Sequence, residues 1–263
     1  MLTNPRAERV KAVRALGRRS SRERAGRFVA EGPQSVREVL RFRPDTVLDV
    51  YVEHDDATRH AELLHAAHGA DRRVHECSAE VLAAMSDTQH PQGVLAVCGP
   101  IDVPLAHALD DTEGFVVVLT HVRDPGNAGT VIRGADAAGA RAVVVSDASV
   151  DIYNPKVVRS TAGSLWHLPI ATGQPVEHIL GACRERGLRV LAADGAGEDL
   201  LPDVDLTTPH AWVMGNEAWG LEPHVRELCD QVVRVPIYGH AESLNLAMAA
   251  TCCMYASAGA TRR

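Results

Sequence analysis

Two patterns alternate along this chain. Continuous apolar runs read as strands; stretches with apolar positions three and four apart read as helices. In the first hundred residues, "FVAEGPQSVREVLR" (28–41) predicts a short strand, a Gly-Pro turn and a helix. "TVLDVYVE" (46–53), "RRVHECS" (72–78) and "GVLAVCG" (93–99) predict strands, with helices at "ATRHAELLHAA" (57–67) and "AEVLAAMSD" (79–87) between them. Strands alternating with helices imply a small α/β unit. The stretch 100–114 holds two prolines and four carboxylates and marks a boundary. The division expected is a unit over 1–103, a linker over 104–113 and a second domain over 114–263.

The second half is cleaner. "FVVVLTHV" (115–122) is apolar almost throughout, as a strand covered on both faces should be. Strands are also expected at 140–147, 165–171, 188–194, 211–215 and 231–237. Helical stretches separate most of them, which predicts a parallel sheet. The last helix, "SLNLAMAATCCMYASA" (243–258), lacks a polar face and is expected to be buried on most sides.

Composition refines this picture. Of 263 residues 46% are hydrophobic but only 4% aromatic, so the core must be built from Ala, Val and Leu. No apolar run reaches the roughly 18 residues of a membrane span. The Arg-rich start lacks the apolar segment of roughly 7–15 residues that a secretory signal needs. The six cysteines lack metal-ligand spacing and read as reduced and mostly buried, in a cytoplasmic protein. Thirteen histidines form no HExxH or similar spacing, so no metal is expected. Net charge is −7, yet residues 1–43 hold 12 Lys+Arg against 4 Asp+Glu. A basic arm on an acidic body is either a patch that meets phosphate or a solvated tail.

Three loops after predicted strands carry candidate chemistry. In a parallel sheet such loops lie at one edge, where ligands bind. The first is Asn127-Ala-Gly-Thr-Val-Ile-Arg133, in which Asn127 is placed to cap a helix and Arg133 lies two turns in. The second is "VMGNEAWGLEP" (213–223), where Gly215 ends a strand and Asn216 and Glu217 open a helix. The third is "VRVPIYGHAESLNLAMAA" (233–250), with Ser243 as a helix cap and Asn245 just beyond it. Each has an ordinary explanation when taken alone: a capping Asn with a surface Arg, or a Glu favoured by the helix dipole. A further segment, "NPKVVRSTAGSLWHLPI" (154–170), offers Lys156 and Arg159 either to phosphates or to solvent.

Together and in this order, Asn127–Arg133, Gly215-Asn216-Glu217 and Ser243-Leu244-Asn245 resemble the three motifs of the SpoU (TrmH-like) RNA 2'-O-ribose methyltransferases of the SPOUT superfamily. "RFVAEGPQSVREVL" resembles the start of that family's N-terminal substrate-binding domain, itself similar to RNA-binding ribosomal proteins. The resemblance runs from about residue 6 to 258. It implies an α/β fold: a C-terminal parallel-sheet domain with a deep trefoil knot, plus the smaller N-terminal α/β domain. It also implies S-adenosyl-L-methionine as cofactor, a homodimer formed through the knotted domain, and an active site at the interface.

The resemblance assigns roles as well. Gly215, Val235 and Leu244 would hold the adenosyl part through their backbone, with Gly195 and Ile237 lining the pocket. Arg133 matches the family's essential arginine, acting as a base or as an electrostatic or phosphate contact. Asn127 and Asn245 would orient substrate and arginine, Glu217 would pair with Arg133, and Ser243 would contact ribose or phosphate. The N-terminal domain is similar to those of ribosomal-RNA members such as the thiostrepton-resistance methyltransferases, which favours large-subunit ribosomal RNA. The alternatives are a tRNA ribose methyltransferase and a non-catalytic RNA-binding member of the same fold. A nucleotide-dependent oxidoreductase is disfavoured, because no Gly-rich fingerprint follows the first C-terminal strand.

Overall fold

The computed structural model describes residues 1–110 and 113–261. The chain forms two compact units: Met1–Ile101 with Asp151–His167, and Asp102–Val150 with Leu168–Arg263. The first unit is thus not continuous in sequence: 151–167 belongs with it. Within the expected linker, Leu105–Ala108 is helical and Leu109 is fully buried, while Asp111 and Thr112 lie outside the described residues.

The first unit has a four-stranded sheet of β1 (Phe28–Glu31), β2 (Val47–Glu53), β3 (Arg73–Cys77) and β4 (Val94–Cys98), in the order β1-β4-β2-β3. Only β2 and β3 run parallel; β4 is antiparallel to both its neighbours. The basic arm is not a solvated tail. It folds as two helices, Glu8–Ala15 and Arg19–Ala25, and buries Val10, Val13 and Leu16 against Val29, Tyr51, Val81 and Leu82. Arg22 is 5% exposed and donates to Asp151 Oδ2 through Nε (3.0 Å) and Nη2 (2.6 Å), and to the Leu16 carbonyl through Nη1 (2.9 Å). Arg6, Arg9, Lys11, Arg14, Arg18, Arg19, Arg24 and Arg27 remain exposed, so the positive surface survives on a folded scaffold.

The segment 151–167 packs on this sheet. The Tyr153 ring lies 4.5 Å from that of Phe28. Gly163 adopts φ +103°, and a Cβ there would lie 2.3 Å from Glu38 Cγ, so only glycine fits. Arg159 is engaged rather than presented to phosphate: its guanidinium meets Asp87 at 2.9 Å and Glu31 at 3.5 Å.

The second unit is a seven-stranded sheet of β5 (Phe115–Leu119), β6 (Val143–Ser146), β7 (Ile170–Gln174), β8 (Arg189–Ala193), β9 (Asp199–Leu200), β10 (His210–Met214) and β11 (Gln231–Arg234). The order is β7-β6-β5-β10-β8-β11-β9, and every pairing is parallel. β5, β6 and β10 are buried at every position, which explains their unbroken apolar runs. The strand expected at 165–171 begins only at Ile170; Ser164–Trp166 is a 3₁₀ turn of the first unit. β11 stops at Arg234, three residues short of the expectation, because Pro236 has no amide hydrogen for a ladder.

The last helix, Leu246–Thr261, packs against the helix Pro125–Ala138. Small residues bring the pair close: a Cβ on Gly134 would sit 2.9 Å from Met254 Cε. The expectation of burial on most sides is corrected. Ala250, Cys253, Met254 and Ser257 are buried, but Met248 (62%), Cys252 and Tyr255 (55%) form an exposed stripe. The helix has no polar face, yet one of its apolar faces meets solvent in the single chain.

Ser257 also joins that helix to the sheet. It accepts from Trp212 Nε1 (2.8 Å) and bonds His210 Nε2 (2.7 Å), while His210 Nδ1 meets the Thr208 carbonyl (2.7 Å). In the neutral ring, Nδ1 donating to Thr208 leaves Nε2 to accept from Ser257. Burial lowers the His210 pKa below the ordinary 6.5. The unfolded chain therefore takes up a proton below pH 6.5 that the folded chain refuses. Stability is full above that pH and falls as pH drops towards the depressed folded value, by at most about 1.4 kcal/mol per pH unit. In urea titrations between pH 7.5 and 5, His210→Gln should be less stable at pH 7.5 but decline less steeply than wild type. Parallel declines would remove His210 as a source of acid sensitivity.

Candidate active site

The carboxyl ends of β5, β10, β8 and β11 lie side by side, because Leu119 is in register with Met214, Met214 with Ala193, and Ala193 with Val233. Each of the three predicted loops leaves from this edge, or closes back onto it. Pro125 sits in the first turn of the first helix, where its missing amide hydrogen costs nothing. The cap is Asp124, whose Oδ1 accepts from the Asn127 amide at 2.7 Å. Asn127 is therefore one turn inside the helix, not its cap, and its carboxamide is released for other work.

That work is a polar chain across the loops. Glu217 Oε1 accepts from the Asp124 amide (3.1 Å) and from Asn127 Nδ2 (3.3 Å); Oε2 accepts from the Arg123 amide (3.3 Å). Asn127 Oδ1 in turn accepts from Asn245 Nδ2 at 3.0 Å. Asn245, rather than Ser243, caps the last helix: its Oδ1 accepts from the amides of Ala247 (2.9 Å) and Met248 (3.4 Å). One Asn thus uses its oxygen to cap and its nitrogen to bind the first loop.

Asn216 and Glu217 do not open a helix. They sit on a tight turn closed by a reciprocal pair of backbone bonds between Asn216 and Gly220 (2.8 and 3.0 Å), and the helix starts only at Pro223. A Cβ on Gly215 would lie 2.4 Å from the Gly220 backbone, so glycine is needed for the turn to close. Gly220 supplies the positive φ of +70°. Asn216 Nδ2 donates to the His121 carbonyl (2.7 Å), and its Oδ1 accepts from the Ala218 amide (2.8 Å).

Two positions absent from the sequence expectation support these loops. Asp194, 7% exposed at the end of β8, accepts from the Leu221 amide (2.9 Å), the Ala196 amide (2.9 Å) and Arg226 Nη1 (3.4 Å). An Asp at a strand end before Gly-Ala-Gly is a turn signal, but its reach to a loop 27 residues away is not legible in sequence. His121 adopts φ +55°, uncommon for a residue with a side chain, and this conformation aims its carbonyl at Asn216.

The other expected residues stand apart from the polar chain. Arg133 is exposed, with no hydrogen bond or ion pair to a described residue; it lies about 9 Å further along the helix than Asn127 by the rise per residue. The expected Glu217–Arg133 pair is thus absent within the chain, because Glu217 is engaged by amides and by Asn127. Ser243 is exposed. Val235 is half-buried, while Ile237 (39%) and Leu244 (37%) expose apolar surface. Among the described residues, 236–244 make no backbone–backbone hydrogen bond, and neither does Gly195. Next to Gly195 a Cβ would meet nothing within 4 Å. Apolar side chains beside unpaired amides and carbonyls suit the faces and edge nitrogens of adenine, so Gly195, Val235, Ile237 and Leu244 fit an adenosyl group. Gly215 contributes by shaping the turn.

A parallel sheet whose carboxyl edge combines an apolar, amide-rich loop with a carboxamide–carboxylate chain is an α/β domain with contacts suited to a nucleoside. Residues 114–255 match the model of the SpoU rRNA Methylase family, and residues 7–96 match an MRM3-like substrate binding domain. The chain belongs to the SpoU rRNA methylase family. It is 34% identical over 223 residues to the 23S rRNA (guanosine-2'-O-)-methyltransferase RlmB of Bordetella pertussis, covering 83% of this chain and 91% of that one. It is 32% identical over 248 residues to the 23S rRNA (guanosine(2553)-2'-O)-methyltransferase RlmP of Bacillus subtilis, covering 94% and 95%. The AdoMet-bound rRNA methyltransferase of Sinorhizobium meliloti superposes with a TM-score of 0.87 at 28% identity, over 97% of this chain and 96% of that one.

The two glycines at this edge differ sharply in what they tolerate. Gly215→Ala forces a methyl into the Gly220 backbone and should cost about 1–3 kcal/mol in urea unfolding, as overpacking does. Gly195→Ala meets open space and should stay within about 0.5 kcal/mol of wild type. Equal losses would show that the turn relaxes around the added methyl.

Proposed function

We infer that this chain transfers a methyl group from S-adenosyl-L-methionine to a ribose 2'-hydroxyl of RNA, with large-subunit ribosomal RNA as substrate. The observation that carries the chemistry is the Glu217–Asn127–Asn245 chain, which joins all three motifs beside a loop fit for adenosine. The choice of RNA rests on the relatives, named as 23S rRNA methyltransferases, and on the basic surface of the first unit.

When bound, the cofactor supplies a methyl group already activated on a sulfonium, so the protein's work is alignment and charge. Gly195, Gly215, Val235, Ile237 and Leu244 form the adenosyl cradle. Asn127 and Asn245 are locked by each other and by Glu217, and orient the ribose. Orientation alone can contribute about 7–11 kcal/mol to such a displacement. Arg133 keeps its charge at any working pH. Its role in this reading is to stabilise the developing alkoxide or grip the adjacent phosphate, rather than to take the proton. Ser243 serves as a further contact to ribose or phosphate.

The same reading includes a homodimer. Met248, Cys252 and Tyr255 expose an apolar stripe on the last helix, and Arg133 is an unpaired cation on the helix packed against it. A second copy covering the stripe would complete each site at the interface. The trefoil knot belongs to this proposal too; the return of β10 to the middle of the sheet, between β5 and β8, supports it. Among the described residues no helix is long and apolar enough to cross a membrane, and no cluster of His, Cys, Asp or Glu is arranged to hold a metal ion. Six free cysteines, four of them buried, fit a reducing cytoplasm.

Methyl transfer from labelled cofactor to deproteinised ribosomal RNA tests the reading, with primer-extension stops locating the 2'-O-methyl group. Label in the large-subunit RNA is expected; label confined to transfer RNA would refute the substrate. Arg133→Ala should lower turnover by at least about 100-fold, the scale of losing one charge-stabilising donor, while cofactor affinity by calorimetry stays within about twofold. Undiminished turnover would remove Arg133 from the mechanism.

The dimer has its own measurement. Sedimentation should give a dimer for wild type and a monomer for Met248→Glu with Tyr255→Glu. A monomeric wild type would end this part of the proposal.

A further inference from the structure

Aromatic side chains are scarce here: three Trp, three Phe and four Tyr in 263 residues. Trp166 and Trp212 are packed away at 3% and 0% exposure, whereas Trp219 is 54% exposed. A single exposed apolar residue needs no explanation; its position does. Trp219 occupies the tight turn closed by Asn216 and Gly220, two residues after Glu217. Their α-carbons are at most about 7 Å apart. The turn therefore carries Trp219 within a nucleotide's reach of the Glu217–Asn127–Asn245 chain.

The base of that turn is tied down on three sides. Asn216 bonds the His121 carbonyl, the Ala218 amide bonds Asn216 Oδ1, and the Leu221 amide bonds Asp194. A platform fixed in advance loses little conformational freedom when a ligand settles on it. Sequence-specific RNA recognition favours unpaired bases splayed out onto aromatic rings, since the paired bases of an A-form helix are hard to read.

We propose that Trp219 is the stacking platform for an unpaired nucleobase at or next to the nucleotide whose ribose is methylated. The substrate is then a loop, bulge or single strand rather than duplex RNA. This rests on the methyltransferase reading and adds the state of the RNA that the site accepts.

Trp219 is its own reporter, being the one solvent-exposed tryptophan of the three. In the full-length protein with S-adenosyl-L-methionine, a mixed-sequence 12-nucleotide single-stranded RNA should quench its emission and shield it from acrylamide. The same sequence annealed to its complement should do neither. With deproteinised ribosomal RNA, Trp219→Ala should raise KM by about 5- to 100-fold, the range for losing one base–aromatic stack. Trp219→Phe should recover most of that loss, and cofactor affinity should be unchanged in both variants. A wild-type KM for Trp219→Ala, equal shielding by duplex, or an indole already shielded without RNA by a second copy would each overturn the proposal. Those outcomes leave the methyltransferase reading intact. That reading fails instead if wild type transfers no methyl group to RNA, and the quenching comparison then still decides the stacking.

Discussion

The site depends on a carboxylate satisfied by backbone. Glu217 accepts two consecutive amides, of Arg123 and Asp124, just where the first loop turns into its helix. The amides before a helix have no carbonyl of their own turn to meet, and a carboxylate there is favoured by the helix dipole as well. Because the donors are main-chain atoms, Glu217 fixes the position of a loop rather than of one side chain. Asn127 then inherits a fixed place, and Asn245 is fixed by Asn127. Remove the carboxylate and the second loop loses three of its bonds to the first, with Asn216 still bonded to the His121 carbonyl.

The sheet behind this edge was readable because its strands are buried on both faces, and a strand of that kind has only one way to look. β5 and β10 were legible to within about three residues for that reason. What eluded pattern was everything decided by a partner far along the chain. The strand expected at 165–171 starts late because Leu165 and Trp166 are buried in a turn of the other unit, and apolar content cannot say which core will receive it. Charge alone left the basic arm as either a phosphate-meeting patch or a solvated tail, yet its Val10, Val13 and Leu16 follow a helical spacing and fill a core. Arg159, offered by the sequence to phosphates or to solvent, meets Asp87 and Glu31 instead, and Arg22 of the basic arm meets Asp151.

The same limit governs the site. The three bonded residues Glu217, Asn127 and Asn245 all stand in the motifs read from sequence; which residue touches which could not be read. A Glu and an Arg invite pairing by charge, and two amides competed successfully for the Glu. Nor does sequence reveal that His121 takes a left-handed conformation, or that Asp194 clasps the turn after β10. Each of these supports a loop without standing in a motif.

A division of labour follows from these contacts. The groups that shape the edge, Glu217, Asn127, Asn245, Asn216 and Asp194, are all engaged with one another or with backbone, so they mainly hold geometry, and Asn127 and Asn245 each keep one amide hydrogen for a ribose. The groups that remain uncommitted, Arg133, Trp219, Ser243 and the amides of 237–244, are exposed and of different chemistry: a cation, a π-surface, a hydroxyl and hydrogen-bonding backbone. Those four kinds of contact are what a phosphate, a nucleobase, a ribose and an adenosyl group respectively require. A fold using these side chains only for stability would have no reason to gather this exposed set beside so closely bonded a network. The contrast between the two sets, more than any one contact, is why the edge reads as a place for two nucleosides to meet.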